Sequence, residues 1–110
     1  MLKTLMVKVD GKPHCVVTPS DGEVSMKKVA AAFGGKSAAM MPVPEAEKVT
    51  GYKVGGISPF GQRKASSSVV NARAMSHETI FCNGGGRGLQ VQLSPQELAA
   101  ALGAEIAEID

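Results

Sequence analysis

The sequence contains no tryptophan and few aromatic residues, which excludes one common way of binding RNA. One tyrosine and three phenylalanines occur among 110 residues. A protein that stacks single-stranded bases on aromatic rings needs more of them on neighbouring strands. No apolar run approaches the roughly 20 residues that cross a bilayer, and no heptad pattern is sustained. We therefore expect neither a membrane span nor a coiled coil.

Cysteine and histidine are also scarce, which argues against a zinc site and a disulfide framework. The residues concerned are Cys15, Cys82, His14 and His77, and they lack C-x-x-C or H-x₃₋₅-H spacing. We interpret both cysteines as reduced core residues of a cytoplasmic protein. His14 and Cys15 do not predict a catalytic dyad, because neighbouring strand residues point to opposite faces. The nucleophile elbow G-x-S-x-G is absent as well.

Length and composition predict one ordinary globular domain over residues 1–110. Two domains would each be too small to bury a stable core. The sequence is 44% hydrophobic and 20% charged, which argues against disorder. Its net charge of +2 is compatible with a nucleic-acid partner but does not predict one.

Hydrophobic alternation and turn signals predict an α+β fold with a mixed or antiparallel sheet. Asp10-Gly11 predicts a hairpin turn, with Pro13 and Pro19 flanking the return strand. Ser94-Pro95-Gln96-Glu97 predicts a capped helix start. The predicted strands cover residues 2–9, 14–18, 38–41, 68–71, 79–82, 89–93 and 105–109, and the predicted helices cover residues 26–33, 44–49 and 95–102.

Three features could carry chemistry, although a structural explanation competes with each. The glycine-rich residues 55–61 could bring backbone N–H groups close to a ligand, or form a tight turn. Residues 83–88 could cradle a phosphate or ribose, or form a flexible hairpin turn. Lys3, in an apolar strand, could point into a pocket or keep a sheet edge in water. On pattern alone the structural explanation is favoured for all three. A fourth candidate is the set of basic residues spread through the chain, for which a solvated surface is the usual explanation. Within it, Arg63-Lys64 is the one pair that could meet a nucleic-acid backbone.

Four segments together carry a resemblance to a known family. They are residues 2–5 (LKTL), 24–30 (VSMKKVA), 50–64 (TGYKVGGISPFGQRK) and 85–89 (GGRGL). The sequence strongly resembles the YbaK-type aminoacyl-tRNA deacylases, which are similar to the editing domain inserted in bacterial prolyl-tRNA synthetases. The third segment is the most specific, and the resemblance runs over essentially the full length.

The resemblance implies a fold and an activity. The fold is a mixed, partly barrel-like β-sheet surrounded by helices. The activity is hydrolysis of the ester in mischarged tRNA, in trans, typically Cys-tRNA(Pro) and sometimes Cys-tRNA(Cys). It implies no metal or organic cofactor, a cytoplasmic location, the 3′ aminoacyl-adenosine end of tRNA as ligand, and prolyl-tRNA synthetase as a partner.

The resemblance also implies roles for individual residues. Lys3 matches the family's essential lysine, and Gly55 begins a G-x-x-x-P loop whose backbone positions the aminoacyl ester. The attacking group is implied to be water or the thiol of the substrate cysteine. A fixed ammonium and backbone N–H groups would stabilise the charge developing on the ester oxygen. Substrate contacts are implied for Thr4, Gly56, Ile57, Ser58, Pro59, Asn83 and Gly84.

Three departures from the family pattern qualify this interpretation. In this sequence only Met1 and Leu2 stand before Lys3. Members of the family have a helix-bearing segment before the lysine, and a tyrosine of that segment helps line the site. We expect an N-terminally truncated fragment, a misplaced start, or a chain that completes itself as a homodimer. Asn83 and Gln90 stand where cysteine-specific members often have serine and aspartate, which bears on amino-acid specificity.

Two alternatives to a deacylase are considered. The first is a non-catalytic, editing-like module that binds aminoacyl-tRNA or a synthetase; the missing N-terminal segment favours it, whereas the retained Lys3 and glycine loop favour the enzyme. The second is a nucleotide-phosphate binder at residues 84–88. It is weaker, because no helix follows that loop.

Overall fold

The computed structural model describes residues 2–52, 59, 67–76, 79–83 and 90–110. Its strands are β1 (Leu2–Val9), β2 (Lys12–Pro19), β3 (Ala38–Met40), β4 (Ser68–Asn71), β5 (Ile80–Asn83), β6 (Gln90–Leu93) and β7 (Glu105–Ala107). Its helices are α1 (Met26–Ala32), α2 (Val43–Thr50) and α3 (Pro95–Leu102), with a short 3₁₀ helix at Ala72–Ser76. The predicted order of strands and helices is confirmed, whereas no pattern predicted the 3₁₀ helix. Within the described residues, no helix is long and apolar enough to cross a membrane.

The strands form one mixed sheet and one separate pair. The sheet has the order β3-β1-β2-β4-β7. In it β1 runs antiparallel to β2 and β3, while β2–β4 and β4–β7 are parallel pairs. Strands β5 and β6 pair antiparallel with each other. The α+β class and the mixed sheet are confirmed. In the described part of the chain β3 and β7 remain at opposite edges, so the sheet is not a closed barrel.

The hairpin of β1 and β2 forms at the predicted turn, but β2 is longer than predicted. Asp10 and Gly11 both have positive φ, of 50° and 82°, as a tight two-residue hairpin turn requires. Pro13 and Pro19 lie inside β2 rather than beside it. They are tolerated because the pairing of β2 with β4 covers only Cys15 to Val17. The pairing with β4 therefore requires no backbone N–H donor at either proline position.

The two faces of the sheet bury separate apolar clusters. One face packs against α2 and α3 through Leu2, Met6, Cys15, Val17, Val70, Ala46, Val49, Leu98 and Ala99. The other packs against α1 through Val7, Val9, Val16, Val69, Val29, Ala30 and Ile109. Cys15 is a buried core residue, as predicted. His14 lies on the other face and stacks on Phe33, with ring centroids 4.2 Å apart.

The C-terminal residues turn away from the sheet earlier than predicted. Strand β7 ends at Ala107, and Ile109 enters the core beside α1 with no exposed surface. The Ile109 carbonyl accepts a hydrogen bond of 2.6 Å from the backbone N–H of Ser25, which caps α1. Because residues 108 and 109 are not part of the strand, Asp110 lies beside Asn71 at the end of β4.

Other element boundaries differ from prediction by one or two residues, which is the usual uncertainty of helix and strand ends. Strand β3 ends at Met40, β5 begins at Ile80, and α2 is longer by one residue at each end. The predicted capping box is confirmed, since Ser94 and Glu97 exchange reciprocal hydrogen bonds of 3.1 Å. Those bonds from Ser94 lower the pKa of Glu97.

Candidate active site

Lys3 occupies the start of β1, opposite Thr18 of β2. Its ammonium donates a hydrogen bond of 3.2 Å to the backbone carbonyl of Gly22, in the turn that follows β2. A lysine ammonium has three donors. The contact with Gly22 therefore directs Lys3 while leaving donors for a ligand.

A second lysine of β1 shows a different arrangement. The Lys8 ammonium lies 3.0 Å from each carboxylate oxygen of Glu45 in α2. That carboxylate neutralises the Lys8 charge, whereas the partner of Lys3 in the described part of the chain is a neutral carbonyl. The positive charge of Lys3 is thus available to a substrate in a way that the charge of Lys8 is not.

Thr4 does not share a face with Lys3. Adjacent strand residues alternate, and Thr4 belongs to the face of Leu2 and Met6, which packs on α2 and α3. Its Oγ1 is buried and has no hydrogen-bond partner among the described residues. A buried hydroxyl without a partner is costly to keep. In the part of the chain that the structure describes, a buried hydroxyl without a partner thus follows Lys3 directly in sequence but lies on the other face of the sheet.

The remaining predicted site residues are only partly described. Gly55, Gly56, Ile57, Ser58 and Gly84 lie outside the described residues. Pro59 is described and is buried. Asn83 ends β5.

The structure adds a residue that sequence reasoning missed, Arg73 in the 3₁₀ helix. Its guanidinium donates to the Asp21 carboxylate at 3.2 Å and to the Asp21 carbonyl at 2.9 Å. It also donates to both carboxylate oxygens of Asp110, at 2.8 and 3.4 Å. The bond with Asp110 raises the pKa of Arg73 and lowers that of Asp110. No spacing in the sequence marks this arginine, because its partners lie far away along the chain.

A buried amide extends these contacts into the sheet. Asn71, at the end of β4, has no exposed surface. Its Nδ2 donates to Thr18 Oγ1 at 2.9 Å and to Asp110 at 3.0 Å. Its Oδ1 accepts from the backbone N–H of Arg73 at 3.0 Å. The polar atoms of Asn71 are thereby matched with partners, as a buried amide requires.

An open depression lies at this end of the sheet. It has a volume of about 460 Å³ and is lined by Leu2, Pro19, Ser20, Asp21, Arg73, Thr79, Ile80 and Phe81. Phe81 is 40% exposed there, and Asp21 immediately precedes the carbonyl that holds Lys3. A second depression, of about 280 Å³, lies at the opposite end of the sheet beside His14 and Phe33. Among the described residues, no cluster of three or more His, Cys, Asp or Glu side chains could hold a metal ion.

The sequence of this chain matches a known family over most of its length. Residues 1–101 match the profile described as "Aminoacyl-tRNA editing domain". The chain belongs to this family of editing domains. The resemblance inferred from the sequence is therefore confirmed.

A curated relative of the editing domain carries a more specific description. It is the "Putative Cys-tRNA(Pro)/Cys-tRNA(Cys) deacylase EbsC" of Enterococcus faecalis, 34% identical over 111 residues. The match covers 99% of this chain and 67% of the relative. Together with the family match, it confirms the prediction that this editing domain is an aminoacyl-tRNA deacylase.

Solved structures share the fold of the editing domain. A crystal structure of the hypothetical protein APE2540 superimposes with a TM-score of 0.91 at 29% identity, covering 99% of this chain and 73% of that one. The crystal structure of "a putative trans-editing enzyme for prolyl tRNA synthetase" has a TM-score of 0.89 at 19% identity, covering 99% and 69%. At that identity the second likeness supports the fold alone.

Proposed function

We propose that this editing domain hydrolyses the ester bond of Cys-tRNA(Pro) in trans. The substrate proposal is supported by the description of the Enterococcus faecalis relative, which is 34% identical over nearly the whole chain. Aminoacyl-tRNA is the substrate class of the family. The identity of the mischarged amino acid and of the tRNA is the part that experiment must decide.

We propose Lys3 as the cation of the active site. Hydrolysis of an ester develops negative charge on the carbonyl oxygen, and a preorganised cation stabilises that charge. The contact of Lys3 with Gly22 at 3.2 Å supports this role, because it orients the ammonium without neutralising it. The ammonium would act on the ester oxygen or on the terminal adenosine.

We propose that the other predicted site residues surround the aminoacyl group. Gly55 would place backbone N–H groups at the ester, with Gly56, Ile57, Ser58 and Pro59 completing the loop. Glycine suits this role because no side chain keeps the ligand away from the backbone.

We propose that the amino-acid side chain of the substrate meets a second group of residues. This group consists of Asn83, Gly84 and the buried hydroxyl of Thr4. Among the described residues Thr4 Oγ1 has no hydrogen-bond partner, which supports its inclusion, since a substrate group would supply one.

We propose that the attacking group is water or the thiol of the substrate cysteine. The described cysteine and histidine side chains support this view. Cys15 is buried in the core, and His14 stacks on Phe33 beside the second depression, which Lys3 does not line. Neither is placed to attack an ester held by Lys3.

We further propose prolyl-tRNA synthetase and a second copy of the chain as partners in the cytoplasm, where tRNA is charged. The homodimer is supported by β7, an edge strand of the described sheet. Ile106 of this strand is 49% exposed, and an edge strand with an exposed apolar residue favours association.

The decisive experiment is a deacylation assay on tRNA(Pro) charged separately with cysteine, alanine and proline. We expect release of cysteine to be fastest, with correctly charged Pro-tRNA(Pro) spared. Adding prolyl-tRNA synthetase tests the partnership in the same assay. Tight binding of Cys-tRNA(Pro) without hydrolysis would instead support the non-catalytic module, and preferential release of alanine would overturn the substrate.

A further inference from the structure

We propose that Arg73 is a positioning residue that holds the turn of Asp21 and Gly22 and thereby directs the Lys3 ammonium. This inference rests on the proposed function, because it concerns how Lys3 is held for catalysis. Arg73 is not proposed to touch the substrate. Its guanidinium is already shared between Asp21 and Asp110.

The first step is that Arg73 holds the turn of Asp21 and Gly22 through hydrogen bonds. It donates to the side chain of Asp21 at 3.2 Å and to its carbonyl at 2.9 Å. A Cβ added to Gly22 would lie 3.4 Å from the guanidinium, so Arg73 also lies directly beside this residue. Gly22 has φ of +85°, a conformation that side-chain-bearing residues rarely adopt. Arg73 therefore holds the turn that determines the direction of the Gly22 carbonyl.

The second step is the anchor of Arg73 itself. Asp110 accepts from the guanidinium at 2.8 Å and from Asn71 at 3.0 Å. Asn71 is fully buried and donates to Thr18. Thr18 is the residue opposite Lys3 in the pairing of β1 and β2. The series of contacts therefore starts at the Lys3 ammonium and ends at Thr18, which lies opposite Lys3 on the neighbouring strand.

The third step is that the ion pairs of Arg73 with Asp21 and Asp110 add little to folding. The side chains of Arg73, Asp110 and Asp21 are 37%, 38% and 83% exposed. Ion pairs at such exposed positions contribute little to stability. Arginine nevertheless suits the place, because its planar fork can bridge two acceptors in fixed geometry, whereas lysine is a point donor. The ion pairs of Arg73 therefore fix a geometry more than they stabilise the fold.

The kinetic test compares three variants on the substrate found by the deacylation assay. We expect Arg73→Ala to lower kcat by at least about tenfold, with KM changed less than twofold, because misplacing a catalytic group by about 1 Å costs up to a hundredfold. Arg73→Lys should recover part of the loss. Lys8→Ala removes the same charge from an ion pair of similar exposure, and it should leave kcat unchanged.

A double-substitution test shows whether Arg73 acts through Lys3. Because Lys3→Ala is expected to lack activity, the test uses Lys3→Arg, which keeps a cation at this position. Adding Arg73→Ala to Lys3→Arg should lower the rate by a smaller factor than Arg73→Ala does alone, since effects of residues that act as one unit are not additive. If Arg73→Ala raises KM in a salt-dependent way, or lowers the rate by the same factor in both backgrounds, Arg73 does not act through Lys3 and the proposal is overturned.

A spectroscopic test does not depend on activity. In ¹H–¹⁵N spectra of the lysine ammonium groups, a held ammonium exchanges its protons slowly. We expect a Lys3 signal in the wild-type protein. In Arg73→Ala and in Arg73→Lys this signal should be weaker or shifted relative to the wild type, while the Lys8 signal should not change. An unchanged Lys3 signal in both variants overturns the positioning role. This result is independent of whether Cys-tRNA(Pro) is the substrate, so failure of the two proposals can be told apart.

Discussion

Asn83 and Gln90 are register partners across β5 and β6. The sequence singles them out separately, as the two positions where cysteine-specific relatives often carry serine and aspartate. The structure shows that they form one pair at the end of a two-stranded ribbon. Residues directly opposite each other in a strand pair are expected to act together rather than independently.

The first prediction therefore concerns specificity. Small pockets discriminate poorly by size, since one methylene is worth only about 1–3 kcal/mol, so polar contacts must set the choice. We expect Asn83→Ser to shift the ratio of cysteine to alanine release from tRNA(Pro). Asn83→Ser combined with Gln90→Asp should shift it by an amount that the single substitutions do not sum to. An unchanged ratio in all three variants would make this pair a structural element of the ribbon.

The second prediction concerns Lys3. We expect Lys3→Ala to abolish deacylation while changing the free energy of unfolding by less than about 1 kcal/mol, as for a surface substitution. Lys8→Ala, on the same strand, is the matched control and should keep the activity. Rates and denaturant unfolding curves for both variants check this. A Lys3→Ala enzyme of wild-type rate would remove Lys3 from the catalytic machinery, and an unfolded one would give it a structural role.

The third prediction compares the hydroxyl groups of two threonines on opposite faces of the sheet. Thr4 Oγ1 has no partner in the described residues, so Thr4→Val should leave the melting temperature unchanged or raise it, while lowering deacylation if the hydroxyl meets the substrate. Thr18 Oγ1 accepts from buried Asn71, so Thr18→Val should cost about 1–3 kcal/mol by leaving that donor unpaired. A marked destabilisation by Thr4→Val would show that the Thr4 hydroxyl has a structural partner.

The fourth prediction concerns the glycine loop. We expect Gly55→Ala to lower turnover, because a methyl group would stand where the ester must lie. If Gly55 has positive φ, folding is weakened as well, by roughly 1 kcal/mol. Measuring rate and unfolding free energy on the same preparation separates the two effects. Lower stability with an unchanged rate would assign the loop a purely structural role.

The fifth prediction concerns acid. Hydrogen bonds from Arg73, and then from Asn71, lower the pKa of Asp110 below its usual value of 3.8. A carboxylate with a lowered pKa stabilises the fold above its unfolded pKa and loses that contribution as pH falls toward its folded pKa. We expect the wild-type protein to have a higher melting temperature than Asp110→Asn at neutral pH, and the difference between the two melting temperatures to shrink below about pH 3.8. A difference that stays constant down to about pH 3 would mean that the Asp110 charge does not act through these bonds.

Local pattern alone determined most of the elements and the family. The turn at Asp10-Gly11 and the capping box at Ser94 involve residues adjacent or three apart, so their physics can be read along the chain. The alternation that separates His14 from Cys15 is equally local. The glycine loop and Lys3 carried the family resemblance, which the family match confirms over residues 1–101.

Only the tertiary structure decided which residues surround Lys3. The partners of Arg73 are Asp21 and Asp110, which lie 52 and 37 positions away in sequence, and no periodic pattern links such distant residues. Thr18, Asn71 and Lys3 come into one row because β2 pairs with β1 on one side and β4 on the other. Strand pairing thus converts separations along the chain into contacts of about 3 Å, which composition and spacing do not encode.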